Sequence, residues 1–160
     1  MEGGVRKPLA VAIAAALVVS FAGGALTDVG PWYENLKKPS FNPPNWVFAP
    51  AWTTIYSLCV VAAVVGWRAA RTGAQRTQLI ALFGLNAFFN VCWSALFFAI
   101  KRPDWALGEI VFLWLSVLAL VLFFLRFSKI SALALTPYLL WVAFAAVLNL
   151  TIVQLNAPFG

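Results

Sequence analysis

The chain has 160 residues, 63% of them apolar and only 10% charged, with mean hydropathy +0.90. A soluble domain is about half apolar and about a quarter charged, so there are too few charges here to cover a water-facing surface, and a chain this apolar does not stay solvated as a disordered segment. The net charge of +6 would point to nucleic acid in a soluble protein. Here the Lys and Arg residues are spread over the connections between apolar runs, where they set membrane topology. Nucleic acid is therefore not an expected partner, and the lipid bilayer is.

At about 20 apolar residues per helical crossing, the chain holds about five spans and leaves no room for a soluble catalytic domain. The expected fold is an all-α integral membrane protein, a five-transmembrane-helix bundle forming a single domain over residues 1–160. The first span, 9–27, follows the basic pair Arg6 and Lys7. A basic head before an apolar run also describes a signal peptide, with the small residues Ala22 to Ala25 as its cleavage site. Against that, the run is long enough to span and carries Ala12, Ala16, Ser20 and Gly24 at four-residue spacing, a stripe that admits close helix packing and that a cleaved segment would not need.

Residues 28–45 form the longest connection, with Pro31, Pro39, Pro43 and Pro44 among Asp28, Glu34, Lys37 and Lys38. Proline fixes the backbone and removes amide donors, so an ordered, non-helical loop is expected. Its Trp32, Tyr33 and Phe41, with Trp46 at its end, suit the headgroup level or the mouth of a cavity, and connections this long are often functional. The remaining spans are 46–67, 78–100, 105–125 and 132–155, joined by short connections that make neighbouring helices antiparallel. The N-terminal head and the second and fourth connections carry seven Lys and Arg, against four on the other side, which puts the N-terminus in the cytoplasm and the long loop outside. Five spans also exclude a transporter made of two equal inverted halves.

Histidine is absent, which removes the usual general base, the commonest metal ligand and the common haem ligand. No GxxxxGK[ST] phosphate loop, HExxH or CxxC occurs, so no conventional hydrolase, kinase or metal centre is encoded and no metal site is expected. Cys59 and Cys92 fall inside apolar runs and read as two buried thiols without a disulfide. Glu109 is the one acid well inside a span. Its shallow depth, about 6 Å past Trp105 at the helical rise, favours snorkelling or pairing with Lys101 or Arg102 over a proton path.

Residues four and seven apart share a helix face. By that spacing Trp52, Tyr56 and Cys59 group on the second span, Asn86, Asn90 and Trp93 on the third, and Trp141, Ala145 and Asn149 on the fifth. Each stripe alone is compatible with ordinary packing, with the Asn side chains bonding across helices. Three such stripes under a proline-rich aromatic loop point to a cavity for a flat, apolar ligand, since pockets are mostly apolar and aromatic with a few placed polar groups.

The segment WYENLKKPSFNPPNWVFAPAWTTIY resembles the translocator protein family, also called the tryptophan-rich sensory protein or TspO/MBR family. FNVCWSALFF with KRPDWALGE, and PYLLWVAFAAVLN, resemble it further, so the likeness touches every span but the first. The resemblance implies a five-helix bundle, often a homodimer, that binds porphyrins, haem and other apolar molecules beneath the first loop, in sensing, sequestration or transport, with no required cofactor. It implies that Tyr33 and Pro43 belong to the lid and that Trp52, Asn90, Trp93, Trp141 and Ala145 line the pocket. Trp52 and Trp141 would be the catalytic pair if the protein is instead an enzyme of light- and oxygen-dependent tetrapyrrole breakdown. A third alternative is a partner-binding bundle that uses the small-residue stripe.

Two departures from the family stand out. Phe41 replaces a loop tryptophan, which keeps stacking but loses an N–H donor. Leu150 and Gln154 stand where the cholesterol motif of some members needs a Tyr and a basic residue, so that motif is incomplete here and whether cholesterol binds stays open. With no histidine, tetrapyrrole binding is expected by ring stacking. The missing cholesterol motif and the short C-terminus favour a bacterial membrane, with the mitochondrial outer membrane as the alternative.

Overall fold

The computed structural model describes residues 3–159, with side chains from Arg6 onward; residues 1, 2 and 160, at the ends of the expected domain, lie outside it. Six helices follow in order: α1 Gly3–Leu26, α2 Pro31–Asn35, α3 Asn45–Ala69, α4 Gly73–Ser94, α5 Pro103–Leu125 and α6 Lys129–Asn156. All except α2 are long and apolar enough to cross a bilayer. These are the five expected spans.

The helices begin earlier than the charge pattern suggested, because capping extends them past the apolar core. Thr72 and Gln75 form a reciprocal capping box that starts α4 at Gly73, satisfying two amides that would otherwise lack partners. The Ser128 hydroxyl accepts from the Ser131 amide at 3.4 Å and starts α6 at Lys129. Pro103, which has no N–H to lose at a first helical position, opens α5. Pro31 does the same for α2, so the long connection contains a helical turn and is not wholly irregular as expected. Pro50 and Pro137 lie inside α3 and α6, as membrane helices tolerate.

A π-helical turn, Ala95–Ala99, continues α4. It closes with the Ile100 amide on the Ala95 carbonyl at 2.8 Å and the Arg102 amide on the Leu96 carbonyl at 2.9 Å. Between them Lys101 takes a left-handed backbone, φ 59°, which lets the chain reverse into α5.

The five long helices close into a ring in the order α1, α3, α6, α5, α4 and back to α1. The end of the ring away from the long connection is solid. There Phe124 is fully buried among Phe83, Phe123 and Phe127, and Gly66 of α3 lies so close that a Cβ would stand 2.2 Å from the Phe124 ring. The small stripe of α1 faces inward: Ala12 and Ala16 are half-buried, and a Cβ on neighbouring Gly23 would lie 3.8 Å from Ser94 Oγ. Ala12 and Ala16 thus pack within the bundle, while Ser20 and Gly24 are exposed, with open space beside Gly24. The other end of the ring is hollow.

Candidate functional site

The hollow end holds a cavity of about 440 Å³ bounded by all five long helices and by the connection above them. Small residues make the space on one side, where Ser20, Gly23 and Gly24 of α1 meet the opening. Aromatic residues make the opposite wall. Trp52 of α3 and Trp141 of α6 stand edge to face, 6.5 Å apart at 81°. Trp52 also stacks on Tyr56 at 5.5 Å, and Phe48 and Phe144 flank Trp141 at 6.0 and 5.7 Å.

Beneath this wall a polar relay holds the helices in register. The Tyr56 hydroxyl donates to Asn90 Oδ1 at 3.0 Å, and Asn90 Nδ2 donates to the Tyr138 hydroxyl at 3.0 Å, tying α3, α4 and α6 through one carboxamide. Trp93 Nε1 donates to Asn149 Oδ1 at 3.2 Å, and Asn149 Nδ2 donates to the Pro103 carbonyl at 2.8 Å, tying α4, α6 and the start of α5. Asn90 and Asn149 are buried, and unpaired carboxamides there would be costly. These bonds fix the rings that face the cavity.

The connection between α1 and α3 covers the mouth. Tyr33 is 4% exposed and packs on Phe98 at 5.6 Å, while Trp32 meets Phe97 at 6.2 Å and Phe41 meets Phe144 at 6.4 Å. Phe97 and Phe98 belong to the π-helical turn, which thereby carries both the lid contacts and part of the cavity wall. Lys38 Nζ sits over the Tyr33 ring at 4.4 Å and donates to the Tyr33 and Glu34 carbonyls, stiffening the lid from within. Burial pushes the Tyr33 phenol above its ordinary value. The lid is pinned to the bundle by Asn156: its Oδ1 accepts from the Lys37 amide and its Nδ2 donates to the Lys37 carbonyl, both at 2.8 Å.

Of the expected site residues, Tyr33, Trp52, Tyr56, Asn90, Trp93, Trp141, Ala145 and Asn149 meet around this cavity. Pro43 and Asn86 do not. Pro43 lies in the extended run before α3, its carbonyl bonded to Asn42 at 2.9 Å. Asn86 is one turn deeper on α4 and donates to Ser116 of α5 at 2.9 Å. Helical spacing assigns a face but not a depth, and Asn86 lies on the right face below the cavity floor. Cys59 likewise packs against the core below Trp52, and Cys59 and Cys92 are free thiols.

Glu109 departs from its expected pairing. Arg102 forks onto Asp104 instead, with its Nε at 2.8 Å from Oδ1, and this bond raises the guanidinium above its ordinary value. Both Glu109 oxygens are buried without a hydrogen-bond partner among the described residues. Tyr138, Phe144 and Asn156 were not singled out from the sequence. Tyr138 follows a proline, Phe144 is one of 14 phenylalanines, and Asn156 lies 119 residues from the residue it holds.

Comparison with known proteins agrees with this architecture. Residues 10–155 match the TspO/MBR family. The chain is 40% identical over 155 residues to the tryptophan-rich protein TspO of Chlorobaculum tepidum, covering 92% of this chain and 95% of that one. It is 37% identical to the tryptophan-rich sensory protein of Cereibacter sphaeroides, covering 83% of this chain and 82% of the other. It is 36% identical to the translocator protein of Sus scrofa, covering 74% and 70%.

Proposed function

Since the chain belongs to the TspO/MBR family of multi-pass membrane proteins, whose relatives' names denote sensing and translocation, we propose that it binds a porphyrin- or haem-type tetrapyrrole in the covered cavity and so senses, sequesters or carries it. The observation that carries this reading is the Trp52–Trp141 pair, two indoles at 81° on one wall of an apolar cavity. One indole offers its face to a flat ring and the other meets that ring's rim, the stacked and edge-on arrangements that aromatic systems prefer. The cavity lining contains no Lys, Arg, Asp or Glu, so the bound part of the ligand is neutral and any carboxylates project toward the lid. Its polar atoms are few and mostly engaged in the Asn90 and Asn149 relays, which suits recognition by shape more than by hydrogen bonds.

The test is a titration of the purified protein with protoporphyrin in the dark, followed by tryptophan fluorescence. Saturable quenching is expected, weakened about thirtyfold by Trp141→Ala, the loss of one central aromatic anchor of about 2 kcal/mol. A curve left unchanged by Trp52→Ala and Trp141→Ala together would refute the assignment of the cavity. The basic end of the bundle, with the N-terminus, faces the cytoplasm in this proposal, as the excess of Lys and Arg there requires.

A further inference from the structure

The solid end of the bundle carries a second concavity that the tetrapyrrole reading does not use. Arg68 in the last turn of α3, Arg71 in the connection to α4, and Arg126 at the end of α5 come from separate parts of the chain and converge on one pocket. Its floor is Ala70 and Phe127, with Gln75 at its edge. All three arginines are exposed. The four described acids, Asp28, Glu34, Asp104 and Glu109, lie on the lid and in the first turns of α5, at the far end of the bundle. No carboxylate among the described residues therefore stands near these guanidinium groups. Arg76 and Lys129 add charge of the same sign around them, with Arg76 over the Trp67 ring at 5.2 Å.

The fold accounts for two of the three. Arg68 and Arg126 stand at helix C-termini, where the helix dipole favours a cation. Arg71 stands two residues before the N-terminus of α4, where the dipole has its own sign, and the neighbouring Gln75 carboxamide oxygen is already taken up by the Arg71 and Thr72 amides at 2.7 and 3.3 Å. Like charges gathered into a concave site without an internal counter-ion repel one another unless an anion joins them. A phosphate fits the arrangement, because planar guanidinium forks match its oxygens and three of them around one concavity supply donors from several directions. The pocket also lies at the ends of the membrane spans, at the level of Trp67, where interfacial aromatics mark the headgroup layer.

We propose that Arg68, Arg71 and Arg126 form a binding site for a phosphate group, supplied by the headgroup of an anionic phospholipid. The probes are dioleoylphosphatidylglycerol and dioleoylphosphatidylcholine, added to delipidated full-length protein in neutral detergent and counted as adducts by native mass spectrometry. The first phosphatidylglycerol is expected to bind at least tenfold more tightly than phosphatidylcholine. The Arg71→Gln, Arg126→Gln variant is expected to weaken phosphatidylglycerol binding about thirtyfold, at about 1 kcal/mol per interfacial cation, while Arg76→Gln, Lys129→Gln, which removes the same charge outside the pocket, changes it less than threefold. Equal losses in the two variants would mean diffuse surface attraction and would overturn the site, as would tight binding that neither variant alters. If phosphatidylglycerol shows no preference, calorimetry with inorganic phosphate decides. Saturable binding lost in Arg71→Gln, Arg126→Gln keeps the phosphate site and assigns it to a soluble anion, and absence of binding overturns it. Each variant's thermal melt serves as the check on folding.

Discussion

The lid hangs on Asn156, and replacing it with alanine tests how the cavity is closed. The substitution removes the two hydrogen bonds that pin Lys37 to the end of α6, leaving the aromatic contacts of Trp32, Tyr33 and Phe41. Each net hydrogen bond contributes about 0.5–1.5 kcal/mol; for a pair at an exposed site the lower half of that range applies, about 1–2 kcal/mol together. An opening equilibrium shifted by that amount rises about five- to thirtyfold. Hydrogen exchange of the Lys37 amide, which donates directly to Asn156, should accelerate by the same factor. The amides of Val153 and Leu155, in the last turn of α6, should not change. Asn156→Asp keeps the acceptor for the Lys37 amide and loses the donor, so it should fall between the two. Unchanged exchange at Lys37 in Asn156→Ala would mean that the rings alone hold the lid and that the carboxamide is incidental.

Three further outcomes follow from the packing. Gly66→Ala should lower the thermal midpoint in detergent, because the new Cβ would meet the fully buried Phe124 ring at 2.2 Å and overpacking of this kind costs about 1–3 kcal/mol. Gly84→Ala, with nothing within 4 Å of its Cβ, should hold or raise it through helix propensity. Asn90→Ala should destabilise by about 1–2 kcal/mol, since it strips partners from Tyr56 and Tyr138 together; combined with Tyr138→Phe, the loss should be smaller than the sum of the two single changes. In a Cys59→Ala, Cys92→Ala background, Thr72→Cys should react with a membrane-impermeant maleimide only after the cells are opened, and labelling of intact cells would reverse the orientation.

The bundle was legible in the sequence because its signal is thermodynamic and local: stretches of about 20 residues without charge, bounded by Arg, Lys, Gly and Pro, cross a bilayer as helices, since barrel strands are shorter and alternate apolar with polar residues. Faces were legible as well, since Trp52 with Tyr56, Asn90 with Trp93 and Trp141 with Ala145 repeat at helical spacing. Depth was not, which is why Asn86 shares a face with Asn90 and yet bonds Ser116 beneath the cavity. The ring order of helices was equally hidden, because α3 meets α6 through contacts far apart in sequence. The lid illustrates both sides. Its prolines announced an ordered connection, but Pro31 also starts a helical turn, and the residue that pins it lies at the opposite end of the chain.

Polarity along the bundle axis joins these observations. Packing is dense where Gly66 meets Phe124 and cations gather at that end, while the hollow end balances its charges locally, as in the fork of Arg102 on Asp104. A neutral, aromatic cavity under a pinned lid is thus separated by a solid aromatic core from a basic face at the other membrane surface.

The central claim is the seat of the ligand against the Trp52–Trp141 wall of the cavity. The measurement that tests it most directly is diffraction from crystals of the complex with zinc protoporphyrin, in which anomalous scattering locates the metal without reference to the protein. The account predicts one peak inside the ring of helices, within ring-contact distance of Trp52 and Trp141 and beneath Tyr33. A peak on the lipid-facing surface, with the cavity free of ring density, would contradict it.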